Sequence, residues 1–267
     1  MELLSSLFAS SGEYFMSFFQ NVNLIGILLA IFFGAFWLAF YKPPFLKHDW
    51  LWAILIASAI VTLFAAAFIQ LPLQVAIGKL FYANWTEEQL MRGILFTSLP
   101  TILIGCFVQE GAKLLPVIAY WWRKNKIIDP KFGLVIGAVA GAGFGILEAQ
   151  SVHNSLFALG WTWDAAGTSG FNALLPFIER FFFVAFNIAM TALAGYGLAK
   201  GMGWQFYLIV SGIHSLINYL TVLMQIKLLS LEIIETLIAL VAVGAVIVTL
   251  WLLKRRELSS TTAKAKQ

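Results

Sequence analysis

The sequence predicts an all-α, polytopic membrane protein with about seven transmembrane helices. Of its 267 residues, 61% are hydrophobic and 11% are charged. Soluble domains carry about 25% charged residues, so this balance indicates a chain that is embedded in lipid. The apolar runs are about 20 residues or longer, which is the length that a helix needs to cross a bilayer. The short alternating segments typical of a transmembrane β-barrel are absent from the sequence.

Each apolar run predicts one membrane-spanning helix. In chain order, the predicted spans are 22–41, 51–70, 93–122, 132–153, 174–199, 204–225 and 232–253. Residues 1–255 are therefore expected to form a single transmembrane domain, followed by a polar cytoplasmic tail at 256–267. The mixed segment 71–92 is typical of an amphipathic stretch on the outer surface.

The distribution of basic residues predicts the orientation of the spans. Lysine and arginine concentrate in the loops that face the cytoplasm. Basic residues follow the first, third, fifth and seventh spans: Lys42, Lys47, Arg123, Lys124, Lys126, Lys131, Lys200, Lys254, Arg255 and Arg256. The opposite side carries Lys79, Arg92 and Lys227. The N-terminus is thus expected outside and the C-terminus in the cytoplasm. As a separate expectation, the protein is placed in a cell membrane, as a multi-pass protein of a prokaryotic cytoplasmic membrane.

The calculated isoelectric point of about 9.2 follows from this loop asymmetry. It therefore gives no reason to expect a nucleic-acid partner. The lipid bilayer is the partner that the composition requires, and the sequence leaves the oligomeric state open.

Several polar side chains are expected at one depth inside the membrane. We measured depth from the cytoplasmic end of each span at about 1.5 Å per residue. Six residues then lie roughly 15–25 Å deep, on four helices: Glu110, Lys113, Glu148, Asn187, His214 and Asn218. Charged groups at this depth normally face a protein interior or a wet cavity. A purely structural polar network is the alternative, but this number of groups favours a solvated site.

The fourth span carries a regular glycine pattern. Gly133, Gly137, Gly141 and Gly145 recur every four residues, so they lie on one face of the helix. Small residues at this spacing let another helix approach closely. The pattern predicts that the fourth span is a central, tightly packed helix.

Most hydrolytic chemistries do not fit these residues. A His-Glu-x-x-His zinc helix is absent, and His48 lies in a predicted loop, so the three histidines cannot converge in the membrane. The aspartates lie in predicted loops: Asp49, Asp129 and Asp164. The single cysteine, Cys106, permits no intrachain disulfide. Chemistry centred on a glutamate remains, and it requires no certain cofactor, although a divalent metal such as zinc is left open.

Four short segments carry these polar residues. The first is Gln109-Glu110-Gly-Ala-Lys113, and the second is Phe144-Gly-Ile-Leu-Glu148. The third runs from Glu179-Arg180 to Asn187 and Thr191, and the last is His214-Ser-Leu-Ile-Asn218. In this order the segments resemble the motifs of the glutamic-type intramembrane proteases of the CAAX-protease and PrsW/YhfC superfamily. Together they cover roughly residues 105–220, within a motif-bearing core at about 93–225.

The resemblance implies an intramembrane endopeptidase that hydrolyses a peptide bond of a membrane protein or a lipidated peptide. In that group the acidic pair of the first motif is thought to activate water, and if its leading acid is the activator, Glu110 or Glu148 must take over here. We expect Glu110 to activate water, Glu148 to share or orient that water, and His214 and Asn218 to stabilise the oxyanion. Gln109, Lys113, Phe144, Asn187 and Arg180 are implied as supporting residues, with Arg180 either holding Glu148 or extending to the outer interface.

Two residues depart from the family pattern. Gln109 replaces the leading glutamate of the first motif, and Asn187 replaces a histidine. An amide has no useful basicity, so a catalytically inactive scaffold that binds membrane partners is the main alternative. An ion- or proton-coupled transporter is a further one, although the paired halves usual in transporters are absent from the sequence.

Overall fold

The computed structural model describes the backbone of residues 2–255 and the side chains of residues 9–255, apart from 165 and 169. This part of the chain contains no β-strand. Its helices are α1 (Glu2–Ser17), α2 (Leu24–Ala39), α3 (Trp50–Ala65), α4 (Leu71–Asn84), α5 (Glu87–Arg92), α6 (Ile94–Thr97), α7 (Leu99–Arg123), α8 (Pro130–Ala158), α9 (Trp163–Ser169), α10 (Leu175–Ala199), α11 (Gly203–Gln225) and α12 (Leu231–Lys254). The predicted all-α class is confirmed.

Six helical segments of the described chain are long and apolar enough to cross a membrane. They are Trp50–Asn84, Ile94–Arg123, Pro130–Ala158, Gly170–Ala199, Gly203–Gln225 and Leu231–Lys254. The predicted span at 22–41 corresponds to α2, a shorter apolar helix of 16 residues. The chain is therefore a multi-pass membrane protein, and its orientation stays a prediction. The predicted tail at 256–267 lies outside the described residues.

The predicted end of the second span at residue 70 is wrong. Helix α3 runs through a π-helical turn, Ala66–Gln70, directly into α4. Pro72 lies in the first turn of α4. A proline inside an α-helix removes one hydrogen bond and crowds the carbonyl four residues before it. The wider π-helical turn lies where that crowding would occur, so the helix continues to Asn84 instead of stopping.

Local signals set the ends of the helices that carry the four motifs. The side chain of Asp129 accepts hydrogen bonds from the N–H groups of Lys131 (2.9 Å) and Phe132 (3.1 Å) and so caps α8. Proline occupies the first turns of α7, α8 and α10, where its missing N–H removes no helical hydrogen bond. Gly201, with φ of +75°, turns the chain between α10 and α11.

Helices α8 and α10 form the centre of the bundle, as the glycine pattern predicted. At Gly137 and Gly141, backbone of α10 lies where a Cβ atom would stand. At Gly133 the neighbouring backbone belongs to Gly195, a glycine on α10. Helices α2, α3, α7, α11 and α12 pack around this pair. The close contact fixes how α10 is placed along the axis of α8, and it therefore fixes the position of Asn187.

Gly141→Ala is expected to destabilise the protein and to displace Asn187. The added Cβ would overlap the carbonyl oxygen of Asn187 and lie 2.8 Å from Cα of Ile188. Overpacking of this kind typically costs about 1–3 kcal/mol. The thermal midpoint in detergent measures the effect. Gly244→Ala on α12 is the matched control, because a Cβ there meets nothing within 4 Å; equal midpoints for the two variants would contradict the prediction.

Candidate functional site

A buried ion pair on α7 lies at the centre of the site. Glu110 and Lys113 are both 0% exposed, and Lys113 Nζ donates to Glu110 Oε1 at 2.6 Å. A spacing of three residues places both side chains on one face of the helix. Lys113 Nζ also donates to Asn187 Oδ1 on α10 at 2.7 Å. The ammonium group therefore ties the carboxylate of α7 to the middle of α10.

His214 brings a third helix to the same carboxylate. Its Nδ1 atom lies 2.6 Å from Glu110 Oε1, and its ring packs edge-on against Phe183 and Phe186. An ionised carboxylate can only accept, so Nδ1 carries the proton in this hydrogen bond. In the neutral ring, Nε2 then holds the lone pair. Glu110 Oε1 on α7 thus contacts His214 on α11 directly and is linked to Asn187 on α10 through Lys113.

Glu148 joins this centre through Asn187. Asn187 Nδ2 lies 3.2 Å from Glu148 Oε2 and 3.1 Å from the carbonyl oxygen of Phe183. Because Asn187 Oδ1 accepts from Lys113, the side chain amide connects the two acids by a continuous path of polar contacts. The predicted convergence of Glu110, Glu148 and His214 is present, with Asn187 and Lys113 between the two carboxylates.

Arg180 lies at the end of this network. The residue is 8% exposed, with its guanidinium 4.4 Å from the centroid of the Phe183 ring. Its Nη1 atom is 3.8 Å from Glu148 Oε1, and Nη2 pairs with Glu179. Of the two expectations for this residue, contact with Glu148 is the one that the structure shows.

Of the remaining predicted residues, Phe144 lies beside the charged centre, whereas Gln109 and Asn218 line a neighbouring pocket. Phe144 is buried, and its ring centroid lies 5.9 Å from Lys113 Nζ, within reach of a cation–π contact. Gln109 turns away from Glu110 and donates to Gln70 Oε1 at 3.0 Å. Asn218 donates to Cys106 Sγ at 3.3 Å. Gln109 and Asn218 line a polar pocket beside the buried charges.

Two residues that line this pocket were not predicted from the sequence. Gln70 and Gln74 belong to the π-helical turn and to α4, and both line it. Their spacing of four residues was a usable signal, since it places them on one face of any continuous helix. The signal was lost because the predicted span ended at residue 70.

One oxygen of the central carboxylate remains open. Glu110 Oε2 is buried and has no hydrogen-bond partner among the described residues. Buried polar atoms are nearly always hydrogen-bonded, and leaving one without a partner destabilises a fold by about 1–3 kcal/mol. The carboxylate therefore has a saturated side, formed by Lys113 and His214, and a side that can accept a proton or a water molecule.

The donor set does not fit a metal ion. Among the side chains that the structure describes, no three His, Cys, Asp or Glu residues are grouped closely enough to hold one. His48 contacts Trp50 and Phe132, while His153 is buried with Nδ1 3.1 Å from the carbonyl oxygen of Gly26. Of the aspartates, Asp164 lies in α9 and not in a loop as predicted. The cation already in contact with Glu110 is the Lys113 ammonium group.

Comparison with known proteins identifies the family. No curated protein matches the chain, and no solved structure matches it. A family model described as PrsW family intramembrane metalloprotease matches residues 47–253, which include all four motifs and the helices that carry them. The match extends over well more than half of the 267 residues. The chain therefore belongs to the PrsW family of intramembrane proteases.

Proposed function

We propose that this protein is an intramembrane endopeptidase in which Glu110 activates the water that hydrolyses a peptide bond. The substrate class is a membrane protein or a lipidated peptide, cut in or near the outer half of the bilayer. The observation that carries the proposal is the unpaired Oε2 atom of a fully buried carboxylate. Membership of a family of intramembrane proteases supports the reaction class.

The two oxygen atoms of the Glu110 carboxylate have different roles when it acts as a general base. Lys113 and His214 hold Oε1, so the group keeps one orientation. Oε2 then accepts a proton from water as the water oxygen bonds to the peptide carbonyl carbon. The same proton is delivered to the leaving nitrogen when the C–N bond breaks, which returns Glu110 to its starting form. General bases of this kind contribute about 10²- to 10⁴-fold to rate.

Asn218 is the proposed donor to the developing oxyanion. Its amide N–H group points to a weak acceptor, the Cys106 sulfur atom, so a stronger acceptor can take its place. His214 can donate to the oxyanion from Nε2 when both ring nitrogens carry protons. Asn187 and Lys113 position Glu110, and Glu148 orients Asn187.

The family description names a metalloprotease, whereas the donors among the described residues are not grouped in a way that fits a metal ion. No step of the proposed reaction is therefore assigned to a metal. The proposed chemistry needs the carboxylate, the amide of Asn218 and one water molecule.

A cleavage assay with purified protein tests the proposal. The protein is reconstituted in liposomes with a panel of tagged single-span membrane proteins and farnesylated peptides, and products are identified by mass spectrometry. We expect one class of these probes to be cut within or next to its membrane-embedded segment. Absence of cleavage across both classes would contradict the proposal.

A catalytically inactive scaffold is the second candidate, and the environment of Gln109 favours it. Its amide contacts Gln70 and not the charged centre, and the charges of Glu110 and Lys113 neutralise each other. Gln109→Glu restores the leading acid of the family motif and separates the two functions. For a protease, we expect the parent to cleave and Gln109→Glu to change its rate. Cleavage by Gln109→Glu with none by the parent would identify the parent as a scaffold.

A further inference from the structure

A polar pocket opens beside the charged centre, between the α3–α4 helix, α7 and α11. Its volume is about 260 Å³. The lining consists of Gln70, Gln74, Thr101, Ile102, Gly105, Gln109, Asn218 and Thr221. Four of these side chains end in carboxamides and two in hydroxyls, and none is charged. We call this space the amide pocket.

The glutamines of the amide pocket form a continuous hydrogen-bonded row. Gln109 Nε2 donates to Gln70 Oε1 (3.0 Å), and Gln70 Nε2 lies 3.4 Å from Gln74 Oε1. Gln74 Nε2 donates to the carbonyl oxygen of Thr101 at 2.8 Å. Each member of the row offers an N–H donor and a C=O acceptor, the same pair of groups that a peptide backbone presents.

The room for this row depends on Gly105. A Cβ at that position would lie 3.2 Å from Gln70 Nε2 and 3.3 Å from Gln74 Nε2. Gln70 is the last residue of the π-helical turn, and Gln74 follows one turn later on the same side. Such turns occur frequently at functional sites. Gly105 on α7 thus faces two amides of the neighbouring helix, one at the end of its π-helical turn and one in the first turns of α4.

The amide pocket shares one residue with the proposed catalytic set, because Asn218, the proposed oxyanion donor, lines it. Gln109, another lining residue, directly precedes Glu110 in the chain. A peptide that is cut must be unwound locally, and unwound backbone in lipid leaves N–H and C=O groups unpaired, at several kcal/mol each. Neutral amides and hydroxyls satisfy such groups, whereas a phosphate headgroup would call for cations, which this lining lacks.

We propose that the amide pocket binds the extended backbone of the membrane-embedded substrate next to the bond that is cut, with Gln70 and Gln74 as substrate-binding residues. The inference rests on the proposed function, since it names how that site holds a peptide. Gln70 and Gln74 supply hydrogen bonds to the backbone and take no part in bond breaking. They therefore act on any sequence that can unwind at this point.

Crosslinking tests the proposal without requiring cleavage. The probe is a single-span polyleucine peptide with a central Gly-Ser-Gly-Ser segment and one cysteine beside it. Thr221→Cys places a thiol in the amide pocket, and Leu216→Cys places one on the lipid-facing side of the same helix, where Leu216 is 65% exposed. Native Cys106 is buried, so the parent protein gives the background. Both variants also carry Glu110→Gln, so that the peptide stays intact.

We expect the Thr221→Cys variant to form a disulfide with the peptide and the Leu216→Cys variant to form none above background. Adding Gln70→Leu and Gln74→Leu should lower the yield of the Thr221→Cys variant roughly tenfold, because two hydrogen bonds to the peptide are lost. Gln225→Leu, at the exposed end of α11, is the matched control and should leave the yield unchanged. Gln74→Leu alone gives the comparison if the double variant does not fold.

Two results would overturn the proposal: equal crosslinking by the two thiol variants, or a yield in the pocket variant that is indifferent to both glutamines. The pocket would then serve only to admit water. A peptide that crosslinks but is never cut by the wild-type protein would instead contradict the protease proposal and leave the binding role intact. Peptide cleavage that is insensitive to Gln70→Leu and Gln74→Leu would contradict the binding role alone.

Discussion

Glu110→Gln is expected to reduce proteolysis by about 10²- to 10⁴-fold, because an amide cannot accept the proton of the attacking water. Initial rates of product formation in liposomes, measured against a substrate that the wild-type protein cuts, give the comparison. Glu88→Gln is the matched control, since Glu88 pairs with Arg92 at the surface and its side chain is 74% exposed. It should retain the wild-type rate.

Loss of activity in Glu110→Gln must be separated from loss of the fold. Glu110→Asp keeps the negative charge beside Lys113 but withdraws the carboxylate by one methylene group. We expect an intermediate rate for this variant and a smaller fall in thermal midpoint than for Glu110→Gln. Wild-type activity in a folded Glu110→Gln protein would remove Glu110 from the mechanism.

Lys113→Met is expected to give the largest loss of stability among single substitutions at the site. The ammonium group makes two short contacts, with Glu110 Oε1 and Asn187 Oδ1, and both partners are fully buried. Removing it leaves an uncompensated carboxylate in the protein interior, and breaking a buried pair in this way costs about 3–5 kcal/mol. Thermal denaturation in detergent, followed by circular dichroism, measures the loss.

The double variant Glu110→Gln/Lys113→Met supplies the decisive comparison. It removes both charges, so the penalty of a buried unpaired ion disappears and much of the stability should return. Arg92→Met breaks the exposed pair with Glu88 and should change the midpoint little, because solvent screens surface pairs. If the double variant were less stable than Lys113→Met, the pair would not act as a coupled unit.

The sequence was sufficient to predict the charged centre, because helical spacing and depth are regular. A separation of three residues fixes Glu110 and Lys113 on one face of α7, and a constant rise per residue brings His214 to their level. Which atoms touch was not predictable. Asn187 lies between the two acids because glycines on α8 let α10 approach closely, and the distance between two helices is a property of packing rather than of spacing.

The amide pocket was not predictable for a different reason. The predicted second span ended at residue 70 because polar side chains are mixed with apolar ones in the segment that follows. The helix instead continues through a π-helical turn just before Pro72, where the number of residues per turn changes locally. The spacing of four residues puts Gln70 and Gln74 on a common face, but the π-helical turn changes how that face is oriented relative to α3, so the direction in which the two side chains point could be seen only in the folded chain. The direction of Gln109, away from its neighbour Glu110, has the same origin, since its partner is Gln70.

The unequal lengths of α2 and its neighbour have a consequence for the surrounding lipid. At 1.5 Å per residue, the 16 residues of α2 reach only about 24 Å, whereas the 35 residues of Trp50–Asn84 reach about 52 Å. A hydrocarbon layer of about 30 Å matches neither. A long helix of this kind accommodates to the bilayer by leaning or protruding, and acyl chains beside a short one compress or are relieved by polar flanks such as Lys42. We therefore expect the bilayer around this protein to be uneven in thickness and thinnest beside α2.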